Sequence, residues 1–449
     1  MEAHRTVIIG NANLFTMGGS NRQIEKGGIY AEDGIIKKID KSAKLQEEYP
    51  RARFIDMKNM LVLPGNVMTH THLYSTFARG MGLKDAPPAN FVEILERLWW
   101  RLDKALTMED VYYSALVYLA GCIRCGTTTI IDHHASPGAI DGSLDTIARA
   151  VLEAGIRASL CYEITDRGGR EEALAGIREN VRFLEKWKDN PHSLLRGAMG
   201  FHASFTVSDE TFRAALEAAI PLDPVLHIHV EEDLSDRKDS EEKSGMPVLT
   251  RLHNLGATRF PILACHCVHL AASEYEILKN NNIYVIHNPS SNMNNAVGVA
   301  PVMEMMDNGI TVGLGTDGMT PDFFSEMKIL PLPHKIKSGD PRTFPFDRLY
   351  QMIFLNNPKI ADLFWKENGP GYLEEGRFAD VIGLDYDPPT PLNAGNILGH
   401  ILFGITSGMV NTTIVNGQEL MRDRRLLHLD EKRIMAKSRE LAAQMWTRF

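Results

Sequence analysis

The chain has 449 residues, 44% of them apolar, with Lys plus Arg at 48 against Asp plus Glu at 57 and a net charge of −9. That length exceeds one ordinary domain and suits a large barrel with an appendage. The acidic balance argues against nucleic acid or anionic membrane as partner, and no run of about 18 apolar residues predicts a membrane span. Met1-Glu-Ala-His-Arg5 shows no leader followed by an apolar core. The five cysteines, at 122, 125, 161, 265 and 267, make no even disulfide framework. The expectation is a cytoplasmic protein with reduced, mostly buried thiols.

In chain order, residues 1–58 read as short strands, such as 6–10, 28–31 and 34–40, separated by turn formers around Asn11 and Asp33. From 59 to 369 the pattern changes. Apolar bursts at 127–131, 224–229, 283–287 and 310–314 are spaced by helical stretches at 144–153, 171–187, 209–219 and 272–280. That is βαβ repetition, and a closed (β/α)8 parallel barrel fits its length. Strand character returns between 370 and 425, at 378–385 and 412–417, and 426–449 ends in an amphipathic helix. Two strand-rich ends around one α/β block predict a small β-sandwich domain built from both termini.

The chemistry-bearing residues fall at the ends of the bursts. His70 and His72 are separated by one residue, so on a strand both imidazoles face one way and can meet one ion. His229, His266 and Asp317 follow at the ends of later bursts, where a β/α barrel gathers its active-site groups. Such a mixed set describes an open catalytic metal site better than a closed structural one. Cys265 and Cys267 flank His266, but strand alternation turns both thiols away from it, so packing is the simpler reading.

With these residues in view, the chain resembles the amidohydrolase superfamily, in its cytosine-deaminase-like and chlorohydrolase-like branch. Residues 63–72 (LPGNVMTHTH) match the opening metal motif, His229-Val-Glu-Glu232 the His-x-x-Glu, Ala264-Cys-His266 the next histidine and Gly315-Thr-Asp317 the closing aspartate. Residues 376–385 look like the family's return into the β domain. Leu98–Asp103, Asp132–Pro137 and Ser291–Asn295 are similar to the SsnA group of aminohydrolases, which implies a setting in anaerobic purine catabolism.

The resemblance implies that His70, His72, His229 and Asp317 hold one divalent ion, Zn²⁺ first and Fe²⁺ second, which lowers the pKa of a bound water to about 7. His229 is chosen over His227 because Glu232 follows it at i+3; His227 is then packed beside the site, and Glu231 is a solvated or loop-side charge. Glu232 shuttles a proton between water and a ring nitrogen, His266 stabilises the developing charge, and Asp317 accepts the water proton. His202, Asp103 and Asn292 are the expected substrate contacts. Asp103 stands where relatives often carry a glutamate, and its alternative is a surface ion pair. Trp99 and Trp100 either stack on a planar ring or pack in a helix core. His133 and His134 either line the pocket or hydrogen-bond a ligand. The fourth-strand region, 196–202, has no lysine to bridge two ions, which favours a single one.

The implied activity is metal-dependent hydrolysis of a C–N bond in a purine- or pyrimidine-like heterocycle, by deamination. Ring opening of a cyclic amide or amidine is the second reading, and a non-catalytic binding protein on the same fold the third. The implied partner is a small nitrogen heterocycle. A homo-oligomer is a family-level expectation, and membership of a multi-enzyme assembly is compatible with every reading.

Overall fold

The computed structural model describes residues 6–188 and 194–449; Met1–Arg5, on which the leader expectation rests, lie outside the described residues. The two ends of the chain meet in one nine-stranded sheet. Thr6–Phe15 is its hub, antiparallel to Gln23–Glu32 and parallel to Arg53–Asp56 and Leu61–Pro64. Leu61–Pro64 runs antiparallel to Val381–Leu384, which continues into Val410–Val415 and Gln418–Arg422. Alternation along the hub serves two faces. Val7 and Ile9 enter the larger apolar cluster, while Ile8 packs with Tyr30 and with Leu45 of helix Ser42–Glu48.

Beyond Pro64 the strands become parallel and alternate with helices. Asn66–Thr71, Thr127–Asp132, Arg157–Leu160 and Leu195–Gly197 pair in that order. Met199–Ala203, Leu226–Val230, Ile262–His266, Ile283–His287 and Val312–Leu314 form a second arc. Leu195–Gly197 and Met199–Ala203 are halves of one strand interrupted at Ala198. The Ala198 amide donates to Leu160 O and the Met199 amide to Val225 O, so this strand joins the arcs. At the other seam Thr71 and Asp317 form a parallel bridge, and His70 O accepts the amides of Thr316 and Asp317 at 3.0 and 3.2 Å. The ring is therefore closed by eight parallel strands, the barrel that the βαβ repetition predicts.

The helices Ser143–Ala154, Arg170–Trp187 and Asp209–Ala219 cover this ring close to their predicted bounds. The first is stopped by Gly155, whose φ of +80° favours glycine. The strand Arg157–Leu160 has no counterpart among the apolar bursts, because two of its four residues are Arg and Ser. Both are buried nevertheless. Arg157 passes under the barrel to the end sheet, donating to both carboxylate oxygens of Asp380 at 3.0 and 3.2 Å and to Asn416 at 2.5 Å.

The C-terminal helix Glu431–Arg448 starts at Asp430, whose side chain accepts the Arg433 amide. It docks on the barrel through the Trp446 indole, which donates to Phe77 O at 2.8 Å. Among the described residues no helix is long and apolar enough to cross a membrane.

Candidate active site

Parallel closure puts the C-terminal ends of all the strands at one mouth, and the histidines gather there. His70 and His72 leave the first strand on one face. His229 comes from the fifth strand, His266 ends the sixth and Asp317 follows the eighth. His266 and Asp317 take φ of +75° and +53°, left-handed conformations uncommon for residues with a Cβ. Gly315 lets the last strand close on the first: a Cβ there would stand 2.9 Å from His70 O and 2.5 Å from the Asn288 side chain.

Hydrogen bonds decide which ring nitrogens are free. His72 Nδ1 donates to His133 O at 2.5 Å and His229 Nδ1 donates to His202 O at 2.7 Å. A carbonyl oxygen only accepts, so both rings carry a proton on Nδ1 and turn Nε2 toward a common point. His70 Nδ1 is held 2.9 Å from His227 Nε2, and its own Nε2 is fully buried without a hydrogen-bond partner. The freed nitrogens converge. His72 Nε2 lies 3.2 Å from His229 Nε2, and Asp317 Oδ1 lies 3.1 Å from His72 Nε2 and 3.8 Å from His70 Nε2. Ligands about 2.1 Å from a tetrahedral ion stand about 3.4 Å from one another, so this set fits a divalent metal ion.

Charge fits as well. Burial holds His70 well below the usual imidazole range and His229 down to about 3, which keeps both lone pairs available. Burial also opposes a charge on His72, yet the hydrogen bond and charge of Asp317 outweigh it and lift His72 to about 9. Burial likewise works against the Asp317 carboxylate and is overcome by His72, which holds it well below its ordinary value. A cation at this point replaces the proton on His72 Nε2, frees its lone pair and serves the same carboxylate.

Glu232 and His266 flank the cluster. His266 Nδ1 is 2.8 Å from Asn292 Oδ1, which leaves Nε2 without a partner, 3.5 Å from Glu232 Oε2 and 3.7 Å from Asp317 Oδ2. Asp317 thus turns one oxygen to the imidazoles and the other to His266. Glu232 Oε1 accepts from the Asn295 amide at 3.1 Å, and burial raises its pKa. Asn292 does not face the substrate space as the sequence suggests: it is buried against His266, and Ser291, Asn294 and Asn295 line the cleft from the same helix.

Beneath the site lies a polar layer that sequence reasoning left open. His133 stacks on His227 with centroids 4.4 Å apart, and His227 contacts Cys265 Sγ at 3.2 Å and Cys161 Sγ at 3.7 Å. His227 orients His70 and does not reach the convergence point. His134 turns away to Ser136. Cys267 is buried with its thiol toward Ala264 O. The solvated reading of Glu231 is corrected. The residue is fully buried at φ +47°, its Oε1 accepts the Val248 amide, and burial beside Glu274 pushes it up to about 9.

Above the cluster opens a cleft of about 800 Å³, its open mouth included. Trp99, Trp100, Phe91, Leu95 and Phe205 form apolar walls, so both tryptophans face the cleft as well as packing on the core. His202 and Asp103 line it too. His202 Nδ1 is bound to Thr206 Oγ1 at 2.7 Å. Asp103 is buried, not a surface charge: Arg167 donates to its Oδ2 at 2.7 Å and lies over the Trp100 ring. Glu163, which sequence reasoning missed, also lines the cleft. Its Oε1 lies 3.4 Å from Nδ1 of both His72 and His133, and burial pushes the group up to about 7. Its strand ends just before it at Leu160, and the only signal was position: Gly155 closes a helix and leaves room for one more barrel strand.

Comparison with known proteins agrees with this architecture. The amidohydrolase family model matches residues 61–420. A 5'-deoxyadenosine deaminase of Methanosarcina mazei is 33% identical over 446 residues, covering 98% of this chain and 99% of that protein. A 5-methylthioadenosine/S-adenosylhomocysteine deaminase of Desulforudis audaxviator is 30% identical over 443 residues, with the same coverage. Among solved structures, an adenosine deaminase from Xanthomonas campestris with bound zinc superposes with a TM-score of 0.84 at 22% identity, covering 98% of each chain. The chain belongs to the amidohydrolase family and is a hydrolase of carbon–nitrogen bonds other than peptide bonds.

Proposed function

We propose that this protein is a metal-dependent aminohydrolase that replaces an exocyclic amino group of a purine- or pyrimidine-like heterocycle with oxygen, releasing ammonia. The observation that carries this reading is the convergence of three buried Nε2 lone pairs and one carboxylate oxygen at the foot of an aromatic-walled cleft. Both curated relatives are named for deamination of purine nucleosides, which favours loss of the amine over ring opening.

In this reading His70, His72, His229 and Asp317 hold one ion. An imidazole-rich donor set with one carboxylate suits Zn²⁺, with Fe²⁺ second. When bound, the ion supplies Lewis acidity that makes water a nucleophile near neutral pH. Glu232 takes one proton from the attacking water and delivers it to the adjacent ring nitrogen. Asp317, through Oδ2, takes the second and passes it to the departing amine, so that ammonia leaves and a ring carbonyl remains. His266, held by Asn292 through Nδ1, donates from Nε2 in its doubly protonated form to the oxygen as negative charge grows on it. The aromatic walls receive the flat ring and exclude water.

The test pairs metal analysis with an ammonia assay on 5'-deoxyadenosine, adenosine, guanine and cytosine. The expected result is one equivalent of metal, lost in His72→Ala, and ammonia from at least one amine with its ring intact. Loss of the ring chromophore without ammonia would overturn deamination in favour of ring opening.

A further inference from the structure

Glu163, like Asp103 and Asp236, lines the cleft without a task in the proposed mechanism. Its side chain is 2% exposed, yet it lines the cleft: Oε1 is closed off against His72 and His133 without a hydrogen bond, and Oε2, 3.9 Å from His202 Nε2, is the oxygen left to the cleft. The two imidazole nitrogens near Oε1 do not satisfy it. His72 Nδ1 already gives its proton to His133 O, and both His133 nitrogens lack a hydrogen-bond partner. A buried carboxylate left without a donor costs free energy, and a molecule in the cleft can bring one to Oε2.

Position narrows the donor. Glu163 stands against the far side of the His72 ring, whose Nε2 belongs to the convergence point. The carboxylate is thus separated from the reacting centre by one imidazole, the reach of a small heterocycle and not of a substituent beyond it. Asp103 lines the same cleft, with Oδ2 held by Arg167 and Oδ1 buried without a partner. No lysine or arginine lines the cleft among the described residues.

We propose that Glu163 is a specificity-determining residue whose carboxylate accepts a hydrogen bond from an N–H of the heterocycle itself, so that the site selects free, N-unsubstituted rings over N-glycosylated or N-alkylated ones. The proposal rests on the deaminase reading for the placement of the ring. It separates this chain from relatives whose names specify nucleosides.

The experiment uses the full-length, metal-loaded protein and two readouts. Calorimetric binding compares xanthine, which carries ring N–H groups, with 1,3,7-trimethylxanthine, which has none. Turnover compares each accepted amine with its ring-N-methyl or N-riboside derivative. A hydrogen bond to a buried acceptor predicts that wild type prefers the N–H form by about tenfold or more in both assays. Glu163→Leu should erase most of that preference and Glu163→Gln part of it, with metal content unchanged in both. Equal binding of the two xanthines, or failure to bind either, overturns the proposal. So does a preference that survives both substitutions, a preference for ribosides, or a loss of metal in Glu163→Gln, which would make Glu163 a positioning residue for His72. If the binding preference holds while no amine releases ammonia, the deaminase reading fails and the acceptor role stands.

Discussion

Two kinds of residue make the site: groups that meet the reacting atoms, and groups that decide which nitrogen of a ring is free to do so. Glu232 is proposed for the first kind. Glu232→Gln removes the proton carrier while keeping the shape, so kcat should fall by roughly 10²–10⁴-fold, with metal content unchanged. A stopped-time ammonia assay beside metal analysis checks this; an unaffected kcat would remove Glu232 from the mechanism. His227 is of the second kind. Replacing it with Ala frees His70 Nδ1 and should weaken metal binding by about 10–100-fold, read by competition with a chelator. The histidine pairs were legible in the sequence because alternation on a strand makes i and i+2 neighbours. Glu163 was not, since its strand shows no apolar burst, and Asn292 was legible only as present, since a sequence does not say which neighbour an amide faces.

Elements carry the site through their ends, and here the helix Pro289–Asn294 matters most, since it supplies Ser291 to the cleft and Asn292 to His266. Its start is held by Glu326 of helix Phe323–Ile329, which accepts the Ser290 amide at 2.9 Å and the Ser290 hydroxyl at 2.6 Å. Burial pushes Glu326 up to about 7. A carboxyl raised in the folded state contributes fully below its unfolded value of about 4.3 and loses that contribution as pH rises through about 7. Thermal unfolding between pH 5 and 8 should therefore show wild type losing up to ~3 kcal/mol on this account, and Glu326→Gln a flatter curve. Parallel curves would show that Glu326 is not the group responsible. Strand and helix positions in the barrel followed from hydrophobic periodicity. The backbone conformations at Glu231, His266 and Asp317 did not, because closure of the ring imposes them.

Across the whole molecule, the barrel is tied to the sheet made by both chain ends through Arg157 and Asp380, a fully buried pair in which Arg157 also lies 3.5 Å over the Phe378 ring. Removing one partner leaves an uncompensated buried charge, so Asp380→Ala should cost about 3–5 kcal/mol in denaturant unfolding. The apolar double variant Arg157→Met with Asp380→Leu should cost less than the single one. A larger loss in the double variant would mean that the pair itself, and not the stranded charge, sets the stability. The joining of the two ends was readable from their shared strand character. The strap between sheet and barrel was not, because an arginine inside a strand reads as exposed until a partner more than 200 residues away is placed beside it.

The proposed chemistry requires one centre of coordination at the barrel mouth. Anomalous diffraction at the metal's absorption edge, on crystals of the protein as purified, tests it most directly. The predicted result is one peak about 2.0–2.2 Å from the Nε2 atoms of His70, His72 and His229 and from an oxygen of Asp317. A peak among His133, Cys161 and His227 instead, or none at the mouth, would contradict it.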